Sequence, residues 1–222
     1  MINDWVCGPE SNHSKVWEAS TRWEQDHSNE WDLWIADNEE VRALNEEANR
    51  LTTTDPKRAF EIRERLAEDG SVWATRQLGR HYHHGLGVSQ NLERAEYFYY
   101  RAQLAGSWMA TLQLSQLLFQ HDINEKWQAI LQNGVESEFI PAHFWLAWYR
   151  YKTNPRRATA RSVRPLMEIA GNAGHPGARL TLARWKGQGK FGLGKIREGF
   201  REIRSLSTDL RSDKLRHLAP RL

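Results

Sequence analysis

Apolar residues along the chain recur at intervals of three and four, and strand-type alternation is scarce, so the pattern reads as helices throughout. Trp31, Trp34, Ile35, Val41, Leu44, Ala48 and Leu51 fit one amphipathic helix ended by Thr52-Thr53-Thr54. Asp55-Pro56 then supplies an N-cap and an N1 proline for a helix running to about Ala67. Helical pairs are predicted over 71–84 and 91–105, 107–120 and 124–133, 138–152 and 155–171, and 177–186 and 195–206. Gly85-Leu86-Gly87 turns the first of these pairs and Gly187 with Gly189 the last, because glycine tolerates the positive φ of a tight reversal. Asn154-Pro155 starts its helix by the logic of Asp55-Pro56. Leu210, Leu215 and Leu218 suggest a short capping helix in the tail. Trp5, Trp17 and Trp23 carry too much apolar surface for water and are expected to pack on the first hairpin.

The elements repeat. Ala74, Ala110, Ala142 and Ala178 are separated by 36, 32 and 36 residues. Three of them close a Gly-x-x-x-Ala box that begins at Gly70, Gly106 and Gly174, and Glu138 stands where the fourth glycine belongs. Four residues on come Leu78, Leu114, Leu146 and Leu182, each followed by a small residue: Gly79, Ser115, Ala147 and Ala183. A period of this length fits one helical hairpin per unit of an α-solenoid. The leucines then fill the layer between units, and the small column lets paired helices approach.

Residues 70–110 carry a fuller pattern: Ala74, Leu78-Gly79, Tyr82, Gly85-Leu86-Gly87-Val88, Ala95, Tyr99, Ala102, Ala105-Gly106 and Ala110. This resembles the Sel-one-like repeat, a relative of the tetratricopeptide repeat. The resemblance returns at 174–206 and fades between, where the Gly-x-Gly turn is missing and Arg150 replaces the family's tyrosine. It implies an all-α fold, a right-handed α/α superhelix, and a non-catalytic adaptor or scaffold of the kind common in bacteria that holds a protein or peptide. The expected organisation is an acidic, tryptophan-rich extension over 1–50, the repeats over 51–206 and a basic cap over 207–222.

Charge is divided along the chain. Before the cut at Asp69 there are 8 basic and 17 acidic residues, after it 23 basic and 11 acidic. From Arg150 onward the ratio is 18 to 5. Such asymmetry favours polar partners. The single Cys7 excludes an intramolecular disulfide and any zinc site built from several cysteines. No apolar run reaches the 18 residues of a membrane span, and the first residues lack a secretory leader, so a cytoplasmic protein without membrane association is expected.

In a stack of this type the first helices of successive pairs line the concave surface. With Leu78, Gly79 and Tyr82 buried, Arg76, Arg80 and His84 share a row at spacings of four. Equivalent rows hold Leu112, Gln116 and Gln120, then Phe144, Trp148 and Lys152, then Leu180 and Arg184. Cations flanking tryptophan suit an acidic peptide or a terminal carboxylate. Arg76, Arg80, His84, Gln116, Gln120, Trp148, Lys152 and Arg184 are therefore the expected partner-binding residues.

Other chemistry finds little footing. Gly187 to Gly192 matches G-x-G-x-x-G and Gly189 to Lys195 matches G-x-x-x-x-G-K, but a helix precedes them and Ile196 stands where a phosphate loop needs Ser or Thr. His81, His83 and His84 lack nearby carboxylates for a metal set. No catalytic set and no cofactor are expected. Two alternatives to a scaffold stay open: an immunity or inhibitor protein that blocks a toxin or enzyme, and nucleic-acid association through Arg156, Arg157, Arg161, Arg164, Lys195, Arg197, Arg201 and Arg204.

Overall fold

The computed structural model describes residues 11–121 and 125–211, with side chains from Lys15 to Leu206 within those bounds. Trp5, Cys7, the expected helix start at Asn124, the Leu210 side chain, Leu215 and Leu218 fall outside the described residues. Helices are the only regular structure among the described residues. They form two compact units, Ser28–Asn133 and the residues on either side of that stretch. Numbered along the chain, α1 (Ser11–Asp26) belongs to the second unit and is taken up with it.

The first unit contains α2 (Glu30–Ala36), α3 (Glu39–Thr54), α4 (Pro56–Glu68), α5 (Val72–His84), α6 (Leu92–Leu104), α7 (Trp108–Gln120) and most of α8 (Lys126–Glu136). From α3 to α7 each helix packs on the next. Ala48, Ile62, Leu66, Ala67, Ala74 and Leu78 form its buried core, with Val41, Leu44, Leu51, Phe60 and Phe98 packed around them. The single helix read from Trp31 to Leu51 is two. Asp37 is extended (ψ 143°), and Asn38 starts α3 by accepting the Val41 N–H at 2.9 Å. Ser71 Oγ donates to Asp37 Oδ2 at 2.7 Å, a tertiary bond that fixes the break. The cap expected at Asp55-Pro56 is present, the Asp55 side chain accepting the Arg58 N–H at 3.1 Å. Gly85 (φ 66°) and Gly87 (φ 72°) make the reversal after α5. A methyl on Gly79 would lie 2.5 Å from the Tyr99 ring, so the small column does admit the partner helix.

The second unit contains α9 (Ile140–Thr153), α10 (Arg157–Ser162), α11 (Arg164–Asn172), α12 (Pro176–Gly187), a 3-10 turn at Leu193–Lys195 and α13 (Ile196–Arg211), with α1. The helix expected over 155–171 is broken at Val163, because Pro165 belongs to the first turn of a new helix, α11. Nor does Asn154-Pro155 open α10: the Arg156 N–H turns back to the Asn154 carbonyl at 2.8 Å, and Arg156 itself is the extended residue before the helix. The reversal after α12 uses Gly189 (φ 67°) and Gly192 (φ 110°), whereas Gly187 is helical. Gly187 serves instead as the place where α13 approaches: a Cβ on Gly199 would collide with the Gly187 nitrogen and the Ala183 carbonyl. Lys186 Nζ reaches Glu198 at 2.8 Å and Glu202 at 2.6 Å, bridging the same pair.

Helix α1 packs on α12 and α13. Trp17 meets Trp145 edge-on at 5.4 Å and Trp23 meets His175 at 5.0 Å. Trp17 and Trp23 are thus held by α9 and the α12 cap, where the first hairpin was expected to hold them. Neighbouring Glu24 finds its hydrogen-bond donors at the same place, as described below.

The Gly-x-x-x-Ala box has one physical meaning at all four sites. The glycine position ends a helix in left-handed conformation: Gly70, Gly106 and Gly174 have φ between 94° and 100°, and Glu138 has φ 59°. The next N–H closes the cap on the preceding helix, Ser71 to Leu66, Ser107 to Ala102, Phe139 to Gly134 and His175 to Ala170, at 2.9 to 3.0 Å. Ser71, Ser107 and His175 then accept the N–H of the box alanine, whereas the Ala142 N–H reaches the Phe139 carbonyl. Glu138 bears the strain of a β-carbon in this conformation, about 1 to 2 kcal/mol, against which glycine's extra unfolded-state freedom costs about 0.4 to 1. Glu138→Gly should therefore raise the melting temperature by about 1 to 4 °C. A thermal melt showing a lower midpoint would contradict this role for position 138.

Candidate functional site

The residues that begin the first helices of the pairs do more than cap. In the first unit Ser71 Oγ donates to Asp37 as noted, and Ser107 Oγ donates to Glu30 Oε1 at 2.9 Å. In the second unit His175 takes the serine's position. Its Nδ1 accepts the Ala178 N–H at 3.2 Å, so the imidazole proton is on Nε2, which donates to Glu24 Oε1 at 2.9 Å. The same Glu24 oxygen accepts Trp145 Nε1–H at 2.9 Å. Burial, with the Glu24 charge nearby, pushes the Tyr149 hydroxyl well above the ordinary tyrosine range. Three carboxyl side chains from the acidic front of the chain thus meet three helix starts, where the helix dipole favours negative charge. In the sequence the acidic extension and the helical period stand apart, and the Ser, Ser, Phe, His succession at 71, 107, 139 and 175 is the one local trace of their connection.

The expected binding row divides in two. In the first unit Arg80 and His84 are exposed, and Gln116 and Gln120 are partly exposed. Arg76 is not open to solvent: its Nη2 pairs with Glu30 Oε2 at 2.6 Å, its Nη1 donates to Gln113 at 3.2 Å, and its guanidinium lies 5.7 Å over the Trp73 ring. Burial, with the charges of Arg80 and Arg76 close by, lowers Arg63 to about 10, so three arginines converge here.

In the second unit Trp148, Lys152 and Arg184 are all partly exposed, and Trp148 heads an aromatic series. Phe144 stacks on Trp148 at 6.3 Å, Trp148 meets Tyr151 at 6.3 Å, Tyr151 meets Trp185 at 4.5 Å, and Trp185 meets Phe191 at 6.2 Å. Cations cover the rings: Lys152 over Trp148 at 4.9 Å, Lys190 over Tyr151 at 5.2 Å and Arg164 over Phe191 at 4.9 Å. Tyr151 stands three residues after Trp148 on α9 and was legible at helical spacing, whereas Lys190 and Phe191 reach this series only when the Gly189–Gly192 loop folds back on α9. Of the arginines weighed for nucleic acid, Arg161 donates to the Lys190 carbonyl at 3.1 Å and Arg164 to Glu168 at 2.7 Å. The loop and these arginines brace one another.

The histidines near the turn have structural partners. His81 is fully buried, with Arg63 at Nε2 and the Leu86 carbonyl at Nδ1, the arrangement of a neutral ring. His83 stacks on His84 at 4.4 Å. Burial lowers His81 to about 4, assisted by Arg63 and Arg80, and lowers His83 to about 4, assisted by His84 and His121. No group of three His, Cys, Asp or Glu among the described residues is arranged to hold a metal ion. No helix among the described residues is long and apolar enough to cross a membrane.

No protein-family model matches the chain, and no curated protein matches it either. Solved structures do. A Sel1 repeat protein from Oxalobacter formigenes superposes with a TM-score of 0.60 at 15% identity, covering 86% of this chain and 84% of its own. A protective antigen of uropathogenic Escherichia coli displaying an SLR fold gives 0.58 at 16% identity over 80% of this chain. The match spans 42% of that longer protein. With hairpin following hairpin, a capped glycine column and these structural neighbours, the fold of this chain is that of the Sel1-like repeat solenoids.

Proposed function

We propose that the chain is a non-catalytic scaffold that holds a protein or peptide partner of acidic character. The observation that carries this reading is the aromatic series of the second unit. Trp148 and Tyr151 are partly exposed, each lies under a lysine, and neither lysine is among the described ion pairs. A carboxylate arriving there gains a cation already positioned by a ring, and tryptophan, tyrosine and arginine are the residue types that anchor interfaces. Arg184 on α12 extends the same chemistry, and Arg80, His84, Gln116 and Gln120 offer a second polar row in the first unit.

The test is capture of a stoichiometric partner from the native source by the tagged chain. Trp148→Ala combined with Lys152→Glu is expected to reduce retention of that partner at least tenfold while circular dichroism stays unchanged. Equal retention by the variant would place the binding elsewhere. A captured toxin or enzyme whose activity is blocked would favour the inhibitor alternative. Retention of nucleic acid that vanishes with modest salt would favour the nucleic-acid one.

A further inference from the structure

Segment 29–34 of the first unit is bound to the repeat helices as a ligand would be. Asn29 spans the start of α7 with both ends of its amide, Nδ2 donating to the Gly106 carbonyl at 2.6 Å and Oδ1 accepting the Trp108 N–H at 3.1 Å. Glu30 divides its two oxygens between Ser107 Oγ and Arg76 Nη2. Trp34 meets Trp73 edge-on at 5.1 Å, and the guanidinium groups of Arg63 and Arg76 lie over the Trp73 ring at 5.8 and 5.7 Å. Backbone, charge and ring are therefore each read once, by Asn29, Glu30 and Trp34.

Beyond those three points α2 is tied to the repeat helices at its C-terminal end, where Asp37 is the acceptor of Ser71 Oγ. Helix α2 has no buried residue, and its other face exposes Trp31 (57%) and Ile35 (53%). The receiving surface is in contrast deeply built. The Arg76 side chain is 9% exposed, and its Nε is buried without a hydrogen-bond partner among the described residues. A carboxylate that engaged Nε together with Nη2 would use the guanidinium side-on, with one bond more to Arg76 than Glu30 makes. Arg63 and Arg80 add positive charge around it.

We infer that the surface formed by Arg76, Trp73, Ser107 and the backbone of Gly106 and Trp108 is a docking site for a short acidic helix of the pattern Asn-Glu followed four residues later by an aromatic, and that α2 occupies it in cis as a displaceable latch. The partner is a protein segment of that chemistry. The inference rests on the scaffold reading but concerns a surface separate from Trp148 and Lys152.

The probe is a fluorescein-labelled peptide of residues 27–37, titrated with the full chain and followed by anisotropy. Asn29→Ala with Glu30→Ala should free the site, so this variant is expected to bind the peptide at least tenfold more tightly than the unaltered chain does. Adding Arg76→Ala to it, or replacing the peptide's own glutamate by alanine, should remove that gain. The proposal is overturned if the released variant binds no better than the unaltered chain, or if Arg76→Ala changes nothing. Should the released variant fail to fold by circular dichroism, hydrogen exchange on the unaltered chain decides: excess peptide is expected to speed exchange of the amides of residues 30–36, and no acceleration overturns the proposal. Binding that persists with Trp148→Ala and Lys152→Glu separates this site from the one proposed above. Failure here, with partner capture intact, leaves the scaffold reading standing.

Discussion

Glu24→Ala is expected to destabilise the second unit by about 3 to 5 kcal/mol, the usual cost of removing one member of a buried polar set. Glu24 Oε1 is the acceptor for both Trp145 Nε1–H and His175 Nε2–H, in a place where Glu24 is 5% exposed and His175 is fully buried. Truncation leaves two donors without an acceptor, each costing about 1 to 3 kcal/mol, and opens a void beside them. The effect reaches α1 as a whole, because Trp23 and Trp17 pack on the same His175 and Trp145. Glu24→Gln can keep its one carbonyl oxygen at the shared acceptor position and loses only the charge that strengthens both bonds, so its loss should be clearly smaller. Urea denaturation followed by tryptophan fluorescence measures both. A Glu24→Ala midpoint equal to that of the unaltered chain would mean that α1 is not anchored through this carboxyl.

Stability of the first unit should fall steeply as pH drops from about 6.5 toward 4. His81 and His83 both titrate near 4 in the folded chain, below the ordinary value of 6.5, chiefly because burial disfavours the imidazolium. Between those limits the unfolded chain binds the protons that the folded chain refuses, so stability is fully present above 6.5 and drains away below it. At about 1.4 kcal/mol per unit of depression, fully buried His81 accounts for roughly 3 kcal/mol across this interval. His81→Asn should make the acid limb shallower while lowering stability at neutral pH, since Arg63 loses its partner at Nε2. Denaturation midpoints collected between pH 4 and 7 provide the check. A flat profile over that interval would show that the buried rings take up their protons without unfolding.

Much of the repeat was legible because a cap is a local event. Gly70, Gly106 and Gly174 recur in sequence for the same reason that they share positive φ, and Asp55-Pro56 caps α4 with atoms only three residues apart. The failures have a common cause as well. The break at Asp37 depends on Ser71, and the shift of the last turn from Gly187 to Gly192 depends on the approach of Gly199. The split at Val163 is different, since Pro165 marked it openly and the apolar period ran over it. In the candidate sites, Arg80 with His84, and Trp148 with Lys152, could be read as two rows because helical spacing alone sets each. The burial of Arg76 could not, since its cover is Glu30, 46 residues earlier in the chain.

By itself the sequence determined the helical hairpins, their period, the glycine column and the Glu138 exception, all of which follow from backbone conformation and the burial of one face of each helix. Only the tertiary structure decided what the acidic front does. Asp37, Glu30 and Glu24 look like solvated charges in a row of polar residues, and each is instead bound at a helix start by Ser71, Ser107 or His175. Hydrogen bonds between groups far apart in the chain leave no period behind them. The same reason hides the meeting of Tyr151 with Trp185, and the arrival of Lys190 and Phe191, which needs the loop to fold back.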